Sequence, residues 1–195
     1  VSEQTGVKIV MPDDVMNRVP SGAEMVIEKV DIANIPLREG LNKLFGPLGM
    51  TFVVADDHVR IVPKEALLCL GRPPTWAELD LLSEVSTLRP GTRADDREKL
   101  LNRVQMQAGP GASVGALRAA IENVGAGSGD EVLTIACGTL GWGWCLSDKT
   151  IVVEPLERRV QRLLGRPVTI RLNNRPLFDV LTAVGEQAGV PVRAE

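Results

Sequence analysis

Slid against itself without gaps, this chain matches its own sequence twice, each time over a helix, a Gly-terminated turn and a strand. Moving residues 38–63 by 92 positions onto 130–155 puts Leu41 on Leu133, Gly46 on Gly138, Leu48 on Leu140 and Gly49 on Gly141. The match continues through Phe52 and Trp144, Asp56 and Asp148, Val59 and Ile151, and Pro63 and Pro155. A second slide of 140 positions lays residues 32–52 on 172–192, pairing Asn34 with Asn174, Pro36-Leu37 with Pro176-Leu177, Leu41 with Leu181 and Gly49 with Gly189. Self-similarity at a fixed offset means one supersecondary unit used several times. The expectation is an array of small modules that binds rather than catalyses.

The 195 residues leave room for about one to three such units. Aromatics make up 3 % of the chain with no Tyr, so cores must be built from Leu, Val, Ile and Ala. A formal charge of −3 and a pI near 5.4 give no general attraction for phosphate backbones, which need Lys and Arg to displace counterions. No apolar run approaches the ~20 residues of a membrane-spanning helix. Residues 1–6 resemble 184–189, the end of the last helix, and Glu195 follows directly on a strand pattern. The chain therefore reads as a fragment of something longer, and its lack of a signal peptide carries no weight about compartment.

Residues 7–11 form a β-branched run closed by Pro12-Asp13-Asp14, and residues 25–32 alternate as a second strand. Asn34 is placed to cap a helix with Pro36 in its first turn, and Leu37, Leu41, Leu44 and Leu48 fall on one face. Met50, Phe52 and Val54 alternate along a strand, Asp56-Asp57 turns, and residues 59–62 return. Residues 67–106 break the pattern. There Thr75 and Glu78 have capping-box spacing ahead of a stripe of Trp76, Leu79, Leu82 and Val85. Residues 89–96, with Asp95-Asp96, read as a polar hinge. Ser113 caps a helix carrying Val114, Leu117, Ile121 and Val124, and residues 125–129 read as a flexible connector. The second copy follows as helix 130–140 and strands 142–146 and 150–153. Residues 160–164 continue as helix or linker, and strand 168–172, helix 176–188 and strand 190–193 begin a third.

Residue chemistry argues against catalysis. His58 is the single histidine, beside a turn, so no triad or two-His metal site can form. The doublets Asp13-Asp14, Asp56-Asp57 and Asp95-Asp96 all fall in predicted turns, where Asp accepts backbone hydrogen bonds. The Gly-rich run 125–129 lacks a P-loop lysine, and Asp130-Glu131 repel an anion there. Gly46-Pro47-Leu48-Gly49 and Gly138-Thr139-Leu140-Gly141 have the Gly-x-x-Gly spacing of the RNA-binding KH loop, but no basic residues flank them. A left-handed Gly ending a helix explains the spacing better. Trp142 and Trp144 replace Met50 and Phe52 and are expected in the core. Cys69, Cys137 and Cys145 are an odd number without CxxC spacing and read as free thiols. A Cys137–Cys145 bridge is disfavoured because alternation turns Cys145 away from Trp142, Trp144 and Leu146.

The phrase from Val30-Asp31-Ile32-Ala33-Asn34-Ile35-Pro36-Leu37 to Leu48-Gly49-Met50-Thr51-Phe52 resembles the secretin and TonB N-terminal short domain. Residues 171–177 and 187–190 resemble the same family's opening strand and helix. The resemblance implies an α+β chain of tandem βαββαββ modules with helices on one face of short mixed sheets. Its divisions are 1–66, a helical linker region 67–112, a divergent second module 113–158, and a linker with the start of a third module 159–195. It also implies a periplasmic, non-catalytic role in protein interaction and assembly, with cell-envelope protein partners and a homo-oligomeric ring in the full-length protein. No cofactor, metal, nucleic acid or membrane span is implied. A signalling domain of a TonB-dependent transducer or anti-sigma-type regulator is the alternative, and a KH-like nucleic-acid binder is the alternative of another class. Strand alternation sets Thr51, Val53 and Arg60 on the face away from Leu41 and Leu44, which is the candidate partner face.

Overall fold

A computed structural model of the chain describes residues 6–16, 18–20, 22–24, 32–55, 57–107, 113–165, 168–170 and 173–188. Strand β1 (Lys8–Val10) and the one-turn helix α1 (Asp13–Met16) precede helix α2 (Leu37–Phe45) and the hairpin of β2 (Met50–Val54) and β3 (His58–Pro63). Helices α3 (Glu65–Leu68), α4 (Trp76–Thr87) and α5 (Ala94–Leu101) lead to strand β4 (Val104–Met106). Helices α6 (Val114–Val124) and α7 (Gly129–Thr139) are followed by the hairpin of β5 (Trp142–Ser147) and β6 (Thr150–Pro155). Helices α8 (Leu156–Leu164) and α9 (Leu177–Ala188) complete the order. The fold is α+β, and the described residues form two mixed three-stranded sheets ordered β1-β3-β2 and β4-β6-β5. In each, the first strand runs parallel to the last and the hairpin is antiparallel.

The 92-residue offset holds in three dimensions. Met50 faces Pro63 as Trp142 faces Pro155, and Phe52 faces Ile61 as Trp144 faces Val153. Gly49 and Gly141 both sit at φ +69°, left-handed backbone that a Cβ disfavours. Each carbonyl there accepts from the residue after the hairpin, Lys64 at 2.8 Å and Leu156 at 3.0 Å. The 140-residue offset shows in Asn34 and Asn174, at φ 53° and 50°, a conformation Asn tolerates. Asn34 therefore turns the chain and does not cap α2. Pro36 is the N-cap and makes no side-chain cap hydrogen bond.

Apolar spacing puts the cores where expected. Leu41, Leu48, Met50, Val59 and Ile61 close the first module with Val15 and Val19. Leu117, Ile121, Val132, Leu133, Trp142, Trp144, Ile151 and Val153 form the larger second core, which recruits Leu79, Leu82 and Val85 of α4. Thr75 accepts from the Glu78 amide and Ser113 from that of Ala116, as their spacing predicts. Trp76 departs from its predicted stripe at 54 % exposed, because the buried position in that first turn goes to Glu78.

Five other expectations are corrected. Strand β4 arises inside the stretch read as helical linker; at three residues it is too short for alternation to register. Asp95 and Asp96 lie in the first turn of α5, where they suit the helix dipole, and Asp96 accepts from the Arg89 amide at 3.0 Å. The loop before them is no hinge, since a Cβ on Gly91 would lie 1.8 Å from the Gly125 carbonyl oxygen. Nor is the glycine run a plain connector: Ser128 and Glu131 form a second capping box that starts α7. Residues 168–170 form no strand. Most of the predicted strand at 25–32 and all of that at 190–193 lie outside the described residues.

Candidate functional site

Alternation along the first sheet separates two faces. Ile9, Met50, Phe52, Val59 and Ile61 turn to the core, so Lys8, Thr51, Val53, Arg60 and Val62 take the outer face. The pairs Val53–Arg60 and Thr51–Val62 place the three candidate residues side by side. Val53 is 54 % exposed, and Thr51 and Arg60 are half-buried. His58 opens β3 with Nδ1 2.6 Å from Asp57 Oδ1, a local pair at the turn. The hydrogen bond from His58 and its charge hold the Asp57 carboxyl below its ordinary range.

The same face of the second sheet is closed. The 92-residue slide carries Thr51 to Gly143, Val53 to Cys145, Arg60 to Val152 and Val62 to Glu154. Helix α8 folds back over these positions. Its buried Arg159 lies on the strand where Gly143 has no side chain; a Cβ there would stand 2.6 Å from the guanidinium. Arg159 Nη1 faces Glu65 at 3.6 Å, and Arg162 donates to the buried Glu154. Cys69, just after α3, completes the cover by packing on Cys145 and Val152.

All three thiols are free and buried. Cys69 donates to the Ala66 carbonyl at 3.1 Å, and its Sγ lies 3.9 Å from the Trp144 carbonyl, close to Cys145. The hydrogen bond between the two thiols, then burial, pushes Cys69 up. The same bond, against the cost of burial, pulls Cys145 down to about 7. Burial pushes Cys137 up to about 12. Thiolates are the reactive form, so Cys145 should be alkylated ahead of Cys137 in the native chain. Peptide mapping after a timed iodoacetamide pulse at pH 8 checks this order; labelling of Cys137 first would contradict it.

A cleft of ≈ 940 Å³ lies between the two modules, bounded by Asn42, Thr51, Lys64, Ser86, Asp130 and Trp144 among others. Several of its polar groups are engaged with one another. Lys64 donates to Asp130 at 2.7 Å and to Ser86 at 2.9 Å, and the Trp144 indole donates to Thr134 at 3.0 Å. Burial works to raise the Asp130 carboxyl, and the Lys64 hydrogen bond and charge outweigh it and hold it low. These groups tie the modules together instead of converging on an open point, as a ligand pocket requires.

Of the doublets, Asp13-Asp14 opens α1 and Asp95-Asp96 opens α5; Asp57 is described and Asp56 is not. The Gly-x-x-Gly segments are a 3₁₀ turn at residues 46–48 and the last turns of α7, each ended by a left-handed glycine. The Lys64–Asp130 tie lay beyond sequence reasoning because it joins segments remote along the chain, and the covered outer face because it depends on the path α8 takes after β6. No family model matches this chain, and neither a curated protein nor a solved structure matches it.

Proposed function

We propose that this chain is a non-catalytic protein-interaction and assembly module of a secretin-like or related cell-envelope protein, working in the periplasm. One observation carries the reading: two copies of one module treat the same sheet face in opposite ways. The second copy covers Gly143, Cys145, Val152 and Glu154 with its own helix. The first leaves Val53 open on a face that mixes apolar and cationic side chains. Such a surface suits a protein partner, whose binding energy comes from a buried apolar centre inside a polar rim.

The placement of the charged residues also supports binding over chemistry. Glu78, Glu154 and Arg159 are buried, and each is engaged by an ion partner. The test is a photo-crosslinking amino acid at Val53, introduced into the chain in the cell envelope, with Ile61 as buried control. A discrete adduct to an envelope protein at Val53 alone is the expected result. A regulator in that adduct would favour the signalling alternative, and adducts to nucleic acid alone would overturn the proposal.

A further inference from the structure

We infer that Cys69 and Cys145 are the two halves of a disulfide that locks the first module onto the second sheet. Both ends of the one-turn helix α3 reach across to the second module. Lys64 stands at its N-cap and pairs with Asp130 of α7, and Ala66 and Leu67 are buried in the second core. Cys69 stands at its C-cap and packs with Cys145 of β5 and Val152 of β6, in a cluster apart from that core. One short helix is thus held by an ion pair at its start and by two touching thiols at its end.

Position separates this pair from Cys137, which lies within the second core on α7. Cys145 takes the outer face of β5, at the place where the first module has Val53. The alternation that turns it away from Trp142, Trp144 and Leu146 presents it to Cys69. Cys69 Sγ is anchored by the Ala66 carbonyl at 3.1 Å and lies 3.9 Å from the Trp144 carbonyl, whose carbon is bonded to the Cys145 nitrogen. Helix α3 already packs against β5, so a sulfur–sulfur bond of about 2.05 Å asks the two side chains to close in from contact.

The oxidant is a soluble disulfide, and Cys145 is the attacking group. The hydrogen bond from Cys69, and after it the charges of Arg162 and Arg159, favour its thiolate against burial and the charge of Glu154. That thiolate attacks the oxidant, forming a mixed disulfide and expelling one thiolate. Cys69 then loses its proton and attacks Cys145 Sγ, which closes the Cys69–Cys145 bond and expels the second thiolate. Two electrons pass to the oxidant, and the protons of the pair reach its two thiols through solvent. Cys69 is 1 % exposed and Cys145 8 %, so exchange proceeds while α8 is off the sheet.

The test is the thiol–disulfide equilibrium of the full chain in mixtures of reduced and oxidised glutathione, in buffer and in concentrated urea. Approach from both the reduced and the oxidised side ensures that slow opening of α8 cannot pass for a refusal to bond. Maleimide-quenched samples are digested with chymotrypsin, which cuts after Trp142 and Trp144 and so parts Cys137 from Cys145. In buffer the linked peptides should carry Cys69 and Cys145. Folding should raise the effective concentration of one thiol for the other at least about tenfold over its value in urea. Cys145→Ser should abolish the link, with circular dichroism confirming the fold. An effective concentration no higher in buffer than in urea, or native links that run through Cys137, would overturn the inference and leave the two thiols as packing alone. Neither result bears on crosslinking at Val53, which lies on the other sheet.

Discussion

Replacing Glu78 with alanine will destabilise this chain by about 3–5 kcal/mol, the sum of amides left without their acceptor, at about 1–3 kcal/mol each, and of the cavity that remains. The side chain is fully buried, yet its carboxylate accepts from five donors. Arg72 holds it through both guanidinium nitrogens, at 2.9 and 2.7 Å. The Thr75 amide and hydroxyl donate at 2.8 and 3.2 Å, and the Asp148 amide at 3.3 Å. One residue thus closes the capping box of α4 and anchors the β5–β6 turn, where Asp148 is left-handed at φ 51°. Alanine leaves two amides without an acceptor and opens a cavity, whereas Arg72, half exposed, can turn to water. The readout is a urea midpoint that falls with the slope unchanged. Glu78→Gln should fall between, because it keeps the shape and one acceptor.

The acid limb of stability separates the charge from the packing. Burial works to raise the Glu78 carboxyl, and the hydrogen bonds and charge of Arg72 outweigh it, so the folded value lies below the ordinary one. A group lowered by folding contributes stability above its unfolded pKa, about 4.3 for Glu, and loses it as pH falls through the folded value. The native chain should therefore lose stability more steeply below about pH 4 than Glu78→Ala does. Parallel acid limbs in the two proteins would assign the effect of the substitution to packing alone.

What could be read in the sequence was whatever is local or repeats without gaps. Gly49 and Gly141 share φ +69° and the hairpins share their register because the slide of 92 runs unbroken across them. The Thr75–Glu78 box was legible because a capping interaction spans three residues. Strand β4 escaped because the offset changes ahead of the helix. Ile9 pairs with Val59 and Val104 with Ile151, so the parallel strands are related by 95 positions while the hairpins are related by 92. Alternation assigns Thr51, Val53 and Arg60 to one face of the sheet, and the strand register sets Val53 beside Arg60 and Thr51 beside Val62. The unequal fate of the two outer faces was not readable, since it depends on where α3 and α8 travel after the last strand. Arg72 and Asp148 as partners of Glu78 likewise depend on tertiary approach.

Lys64→Ala is expected to cost about 3–5 kcal/mol as well, for a different reason. Lys64 follows β3 of the first module, and Asp130 sits in the first turn of α7 in the second. Their side chains are 20 % and 12 % exposed, so the 2.7 Å pair is shielded from most of the solvent screening that weakens surface ion pairs. Without Lys64, Asp130 keeps a buried charge that only the helix dipole and nearby hydrogen-bond donors offset. Asp130→Ala should cost less, because the long lysine stem can carry its ammonium out to water. The apolar double variant Lys64→Met with Asp130→Leu should recover much of the loss, giving a coupling of about 1–3 kcal/mol in a double-mutant cycle. Because the Lys64 ammonium ties the end of β3 to Asp130 of α7, the single variant should raise hydrogen exchange where the first module meets α7. Additive costs in the cycle, with exchange there unchanged, would mean that the two modules are held together by their apolar contacts and that the ion pair only fills the cleft floor.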